Sequence, residues 1–322
     1  MEPMQEATCC PLCESEQIER IARHRFTFPG NNVCEHLADA TYERLWILFD
    51  RILKNREPVF FRSMICNQCG LIFTDPRFSE ADLRIKYDAI QELGSVKYRT
   101  QLNPPSKLDA RARRIHRLVS PHIKPGSAKT RVLDYGGASG YNLTPFVPSC
   151  DCGVLDFEQW DLPPGIRYLG KDTADLRNGE IFDVILLLHT LEHVVRPRAL
   201  ITELSRALAP DGILYVEVPL ECFREWRRIV EPLTHVNFFS EESLCNCLES
   251  CGLSTLHLSS AYQWVTHGKM WCVNIVGGKN PPAGLRPPRP LSTRTQMRKR
   301  SYYRAFLNSR TLRRVLRRTL GL

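Results

Sequence analysis

The chain has 322 residues, 43% of them hydrophobic and 25% charged, with 13 cysteines and a formal net charge of +9. This composition suits one large globular core with smaller attachments, and it excludes a disordered or collagen-like chain. The charge is lopsided: from Pro281 onward there are 11 Arg, one Lys and no acidic residue, so the preceding part holds 32 basic against 35 acidic side chains. No apolar run reaches the roughly 18 residues that a membrane span needs. The opening "MEPMQEATCCPLC" has no basic region followed by an apolar one, so a reducing, cytoplasmic setting is expected. There, the cysteines point to metal binding or burial rather than a disulfide framework.

Residues 1–80 contain two CxxC pairs, Cys10/Cys13 and Cys66/Cys69. Each presents two thiolates from a tight turn, and two such knuckles make a tetrahedral four-sulfur site suited to Zn²⁺. A closed four-sulfur site has no open coordination position, so its role is structural. About 10–16 kcal/mol from such a site can hold together a segment too small to fold alone. Cys9 adjoins Cys10, and the CPxC spacing favours Cys10. Between the knuckles, Tyr42, Leu45, Trp46, Leu48, Phe49, Ile52 and Leu53 form a helical stripe that reads as core. Residues 81–128 read as helical connecting segments, with Leu108, Ala112, Ile115 and Val119 on one apolar edge.

Residues 129–278 alternate strand-like and helix-like patterns. "TRVLDY", "CGVLDF", "FDVILLL", "ILYVEVP" and "MWCVNIV" are the strand candidates. In "RPRALITELSRALAPDG", Leu200, Ile201, Leu204 and Leu208 share a helix face, and Pro210 and Gly212 supply the stop. Strands buried on both faces and alternating with helices imply a mostly parallel sheet in an α/β layer fold. The first strand ends at Asp134 and runs into "GGASG", followed by a predicted helix from Tyr141. The dinucleotide spacing GxGxxG fails here. GxGxG matches at Gly136 and Gly140, with Ala138 in the middle. Glycines at such a strand-to-helix turn let a ligand approach the backbone. Asp156 ends the next strand, 22 residues after Asp134, where a carboxylate accepts from ribose hydroxyls. Asp172 follows a third strand and is placed to meet an adenine amino group. Each acid alone could equally cap a turn; three in register around one sheet favour a nucleoside ligand. A further helix is predicted from Glu241, with Leu244, Cys247, Leu248 and Cys251 on one face and Cys245 off it. Those cysteines read as buried small hydrophobes, and Cys150 and Cys152 sit at a strand edge.

"VLDYGGASG", "VLDF", "FDVILLLHTLEHVVRPRALITELSRALAPDGILYVEVP" and "HVNFFSEESLCNCLESCGL" together resemble the class I S-adenosylmethionine-dependent methyltransferases over residues 129–278. The resemblance implies a Rossmann-like α/β fold: a seven-stranded sheet with helices on both faces, its last strand antiparallel. It places S-adenosylmethionine over the strand ends. Asp134 would meet the methionine end and Gly136, Gly137 and Gly140 would line the cofactor. Asp156 would take the ribose, Asp172 the adenine, and Leu188 and His189 would flank the methionine portion. Ala138 departs from the usual glycine. The segment "CGLIFTDPRFSEADLRIKYD" is similar to the N-terminal zinc-binding portion of bacterial methyltransferases acting on nucleotide-linked sugars and polysaccharides, although the insert between the knuckles is longer here. The implied acceptor is a nucleotide-linked sugar or glycan precursor. The alternatives are RNA, another small molecule, or a binding protein that keeps the cofactor fold without catalysis.

Methyl transfer is an in-line displacement whose acceptor can need a base. His193, His235 and His189 lie near predicted strand ends and are the catalytic candidates; the plainer reading is that each bonds backbone or lines the cofactor. Glu192 reads as stabilising its own turn. Residues 279–300 form a Pro-rich linker expected to run extended. Residues 301–322 read as a basic amphipathic helix, with Leu312, Val315, Leu316 and Leu320 opposite Arg310, Arg313, Arg314, Arg317 and Arg318. Such a helix suits an anionic membrane surface, which would make the protein peripheral to the inner membrane face. Docking to a partner is an equal reading, and nucleic acid is a weaker one.

Overall fold

The computed structural model describes residues 6–30, 40–54, 59–93, 105–124, 129–176, 179–222, 229–265, 268–284 and 286–298. The basic helix expected over 301–322 lies outside these residues. In the N-terminal part, β1 (Ile18–Phe26), β2 (Val59–Cys66) and β3 (Ile72–Asp75) form an antiparallel meander. Between β1 and β2, α1 (Ala40–Trp46) runs straight into π-helical turns over Ile47–Ile52. Leu48, Phe49 and Ile52 are buried as the stripe predicts. The wider π turn also turns Ile47 into the core, and the same helical run buries the Glu43–Arg44 pair at 2.7 Å.

Helix α2 (Glu80–Glu92) starts at Ser79, whose side chain accepts from Asp82 N while the Asp82 carboxylate accepts from Ser79 N. This reciprocal cap satisfies two otherwise orphaned donors. Helix α3 (Pro105–Val119) buries Ala112, Ile115 and Val119 and half-buries Leu108, the edge expected from their spacing.

The strands β4 (Thr130–Tyr135), β5 (Cys150–Leu155), β6 (Ile166–Gly170), β7 (Phe182–Leu188) and β8 (Leu208–Pro219) are mutually parallel. β7 shows why: Val184 to Leu187 are fully buried, which only a strand covered on both faces achieves. Helix α4 (Pro197–Arg206) precedes β8, the short β9 (Asn237–Phe238) and α5 (Glu241–Ser250) follow it, and β10 (Ser254–Val265) and β11 (Gly268–Gly278) close the sheet as a hairpin. The order is β10-β11-β8-β7-β4-β5-β6, with β11 antiparallel to both neighbours. β9 instead pairs with β3, so the N-terminal sheet is four-stranded, in the order β1-β2-β3-β9.

Four expectations need correction. The helix predicted from Tyr141 is a single 3-10 turn, Tyr141–Leu143. Pro145 and Pro148 stand in the few residues before β5, and each removes an N–H donor from any longer helix. Leu208 leaves the α4 face and opens β8. On α5, Cys245 is buried at 3% exposure, whereas Cys251 is only half-buried. Residues 293–298 of the expected linker are helical and docked: Thr293 Oγ1 donates to Gly70 O at 2.8 Å, and Thr293 N donates to Glu242 Oε2 at 2.8 Å.

Glu217 on β8 carries a charge into the sheet interior, at 0% exposure. It accepts from Arg111 Nη2 at 3.0 Å and Arg114 Nη2 at 2.7 Å, both on α3, and from Gln263 Nε2 on β10 at 2.9 Å. Burial alone would raise its pKa. The Arg111 charge, the His189 hydrogen bond and the Arg114 charge outweigh burial and hold it well below the usual carboxylate range. The group pins α3 across the sheet. Replacing it, Glu217→Leu, removes the carboxylate facing buried Arg111. We expect a loss of roughly 3–5 kcal/mol in unfolding free energy, read by urea denaturation, because one half of a buried ion pair is left behind.

Candidate active site

The glycine turn after β4 is shaped by close approach. Gly136, Ala138 and Gly140 all lie in the left-handed region, with φ of +71°, +44° and +65°. A Cβ on Gly136 would stand 2.5 Å from Thr190 Oγ1, and one on Gly137 would stand 2.8 Å from the Asp134 side chain. The turn is therefore pressed between its own strand and the loop after β7. Gly136 N donates to Leu155 O at 2.8 Å and hooks the turn onto β5. Ala138 pays the left-handed penalty, about 1–2 kcal/mol for a residue with a Cβ, and its N–H donates to Asp156 Oδ2 at 2.9 Å.

The three acids differ in what they have left to offer. Asp134 is fully buried; its Oδ2 accepts from Asn142 Nδ2 at 3.4 Å, and its Oδ1 has no hydrogen-bond partner among the described residues. Burial pushes its pKa up to about 7. A buried carboxylate oxygen without a donor, beside a glycine turn, fits a ligand ammonium. Asp156 is buried at the end of β5, and its oxygens accept from Ala138 N and, at 3.1 Å, from Glu158 N. A carboxylate offers about four lone-pair directions, so capacity remains for a diol. Asp172 is exposed beyond β6 and caps its own turn, its Oδ1 accepting from Ala174 N at 2.8 Å. Leu188 ends β7, and His189 follows it with φ +52°, its N–H donating to Glu217 O at 2.8 Å.

The three candidate histidines converge on one buried carboxylate but differ in charge. His189 Nε2 lies 3.1 Å from Glu217 Oε1, and its Nδ1 lies 3.4 Å from Glu192 Oε1. Burial lowers its pKa, but its contacts with Cys272, Glu192 and Glu217 outweigh that and raise it well above the ordinary value. His235 Nδ1 donates to Glu221 Oε2 at 2.6 Å; burial opposes the charge, the Glu221 carboxylate wins, and the pKa rises to about 9. His193 Nδ1 donates to Thr234 O at 2.6 Å, and burial drives its pKa down to about 3. Of the three, only His193 is shifted toward the neutral imidazole. Its ring centroid is 4.8 Å from that of His235.

Glu192 does more than stabilise its turn. It is 1% exposed, in the 3-10 turn Leu191–His193. Burial would raise its pKa, but the contact with His189 and the neighbouring histidines bring it to about 2. Glu217, Glu221, Arg111 and Arg114 escaped the sequence reading. Glu217 had a usable signal, a lone acid inside the apolar run "ILYVEVP". The others are polar residues whose partners come from distant segments, and nothing local marks them.

The cysteine knuckles come together as expected. Cys10 Sγ lies 3.6 Å from Cys69 Sγ, and Cys13 Sγ lies 3.5 Å from Cys66 Sγ. All four ligand atoms lie within 4.8 Å of one another. The two turns repeat one geometry: Glu14 N donates to Cys10 O at 2.9 Å and Gly70 N to Cys66 O at 3.0 Å, and both Glu14 and Gly70 have positive φ. The contact with Cys10, together with burial, raises the Cys69 thiol, and the same contact lowers Cys10 to about 6. Crowded thiols of this kind can hold a metal ion.

A family model described as a methyltransferase domain matches residues 106–258. A search of curated proteins found no match. Similar solved structures include the 1,6-didemethyltoxoflavin-N1-methyltransferase of Burkholderia thailandensis, at 13% identity over 67% of this chain and 97% of that one, TM-score 0.48. The magnesium protoporphyrin IX methyltransferase of Synechocystis PCC 6803 is similar at 15% identity over 61% and 99%, TM-score 0.46. The N-methyltransferase NodS of Bradyrhizobium japonicum WM9 is similar at 16% identity over 54% and 96%, TM-score 0.39. The glycine turn and the buried Asp134 and Asp156 lie within that matched segment, so residues 106–258, just under half of the chain, carry a methyltransferase domain.

Proposed function

We propose that the acceptor is a small molecule, a nucleotide-linked sugar or glycan precursor, and that the cysteine cluster holds a structural Zn²⁺. One observation carries the acceptor reading. The β10–β11 hairpin runs past Pro219, where β8 ends, and its cross-strand pair Tyr262 and Trp271 is exposed at 53% and 38%. Their ring centroids are 6.0 Å apart, and Lys269 Nζ stands 5.0 Å from the Tyr262 ring centroid. Aromatic faces of this kind pack on sugar rings and bases, and the ammonium suits a phosphate. The zinc reading is supported by sulfur spacing: four thiolates about 2.3 Å from a tetrahedral ion lie roughly 3.8 Å apart, close to the 3.5 and 3.6 Å found.

S-adenosylmethionine, when bound, supplies a methyl group already activated by a sulfonium. The chain's own residues then align and discriminate. Asp134 holds the ammonium end, the backbone of Gly136, Gly137 and Gly140 lines the cofactor, and Asp156 accepts from the ribose diol. Leu188 and His189 border the methionine portion. Such alignment can supply up to roughly 7–11 kcal/mol. His193 offers the neutral ring nitrogen facing the acceptor side, but a pKa of about 3 makes it a weak proton acceptor.

Methyl-labelled cofactor incubated with the protein and fractionated cell extract is expected to label the nucleotide-sugar or glycan-precursor fraction. Label in RNA alone defeats the sugar reading, and cofactor binding with no labelled product in any fraction favours a binding protein. Cofactor affinity should also depend on pH through Asp134, raised by burial to about 7 in the free protein. Pairing with an ammonium needs the carboxylate, so binding below that value must expel a proton. By calorimetry, affinity should be flat above about pH 8 and fall by up to about tenfold per unit below about pH 7. Asp134→Asn should bind weakly with no such slope. Metal analysis of the purified protein should find zinc, and Cys66→Ser should lose it together with several kcal/mol of stability; zinc content unchanged in that variant removes the cluster as its site.

A further inference from the structure

We propose that Glu192, His193 and His235 bind a divalent first-row transition-metal ion on the acceptor side of the cofactor. The inference rests on the methyl-transfer reading and adds a means of acceptor activation. The three side chains offer ligand atoms that all lie within 4.8 Å of one another. Each imidazole already spends its Nδ1–H outward, His193 on Thr234 O and His235 on Glu221 Oε2, both at 2.6 Å. Metal-binding histidines are oriented in this way: a carbonyl or carboxylate takes one ring N–H, and the other nitrogen becomes the ligand once the ion displaces any proton on it. His193 Nε2 lies 3.8 Å from Glu192 Oε1.

The carboxylate supplies the second, independent observation. Both oxygens of Glu192 are buried and accept no hydrogen bond of proper geometry among the described residues. A buried carboxylate in that state keeps lone pairs free for a metal ion beyond its contact with His189. The nearby Glu217 shows the opposite arrangement. It also converges with a histidine and a cysteine, His189 and Cys272, but two guanidiniums and an amide already satisfy it. Among the described residues no guanidinium pairs with Glu192. His189 Nδ1 approaches one oxygen at 3.4 Å, and buried Lys86 directs its Nζ to Leu233 O, also at 3.4 Å. Two imidazoles and a carboxylate select a first-row ion over calcium or magnesium and leave positions open to an acceptor oxygen. A positive charge there lowers the pKa of an acceptor hydroxyl. The hydroxyl proton passes to solvent, and the oxygen lone pair forms the new O–CH₃ bond. The pair of the broken S–CH₃ bond stays on sulfur, which leaves as a neutral thioether.

Cobalt(II) distinguishes this site from the cysteine cluster, because thiolate-bound cobalt shows intense charge-transfer absorption and nitrogen- and oxygen-bound cobalt does not. Full-length protein stripped of metal and dialysed against Co²⁺ should take up an equivalent without that absorption, whatever the cysteines bind. Glu192→Gln and His235→Ala should each weaken that uptake about tenfold or more and leave any thiolate-bound cobalt unchanged. Wild-type protein that takes up no such equivalent, or uptake that survives both substitutions, overturns the site. If both variants misfold, the wild type still decides: saturating Co²⁺ should give shifted exchangeable imidazole N–H resonances, and their absence refutes the assignment. Cofactor affinity is read on the same samples. Its absence from the wild type counts against the methyl-transfer reading, whereas normal cofactor affinity without this cobalt counts against the metal site alone.

Discussion

Burying carboxylates at the carboxyl-terminal edge of a parallel sheet is the constraint around which this molecule is arranged. Asp134, Asp156, Glu192 and Glu217 all lie at or just beyond strand ends, and none is more than 6% exposed. An uncompensated charge there would unfold a marginally stable chain, so each must be neutralised. The four are compensated to different degrees. Glu217 is saturated by Arg111, Arg114 and Gln263 and acts as a fastening. Asp156 is met by backbone N–H groups and keeps some capacity. Asp134 has one weak donor and is held close to neutrality by burial. Among the described residues the Glu192 carboxylate faces imidazoles alone. The less a carboxylate is satisfied from within, the more readily it receives a ligand.

The parts that follow from local pattern could be read in the sequence. The apolar runs became β4, β7, β8 and β11 because sheet burial on both faces needs continuous hydrophobicity. The glycine turn and the paired cysteines were equally legible, since backbone conformation and thiol chemistry depend on residue type at short spacing. β10 was missed because its residues His257, Ser259, Ser260 and Gln263 do not look like a strand; it lies at the sheet edge and is paired on one side only. β9 is two residues long and exists only because β3 is there to receive it. The histidines were legible as candidates, but their charge states were not. His193 and His235 are both half-buried, and what moves their pKa values in opposite directions is Thr234 O against Glu221, a difference made by the fold.

The N-terminal module does not sit apart from the catalytic sheet. Arg77, just beyond β3, reaches Val195 O at 2.6 Å and Asn237 Oδ1 at 3.2 Å, on either side of the histidine cluster. Asn237 in turn donates to Leu191 O at 3.2 Å and Val194 O at 2.8 Å, closing the loop around Glu192 and His193. Because Ile72 pairs with Phe238 and Phe73 with Asn237, the segment bearing His235 takes its alignment from a strand whose start lies three residues beyond Cys69. Strand side chains alternate between faces with a period of two, so insertion or loss of one residue between the knuckle and β3 would rotate the imidazole away from its partners without altering a single amino acid in the catalytic half. The segment between the two knuckles can therefore vary in length, but the few residues that lead out of the second one have no such freedom.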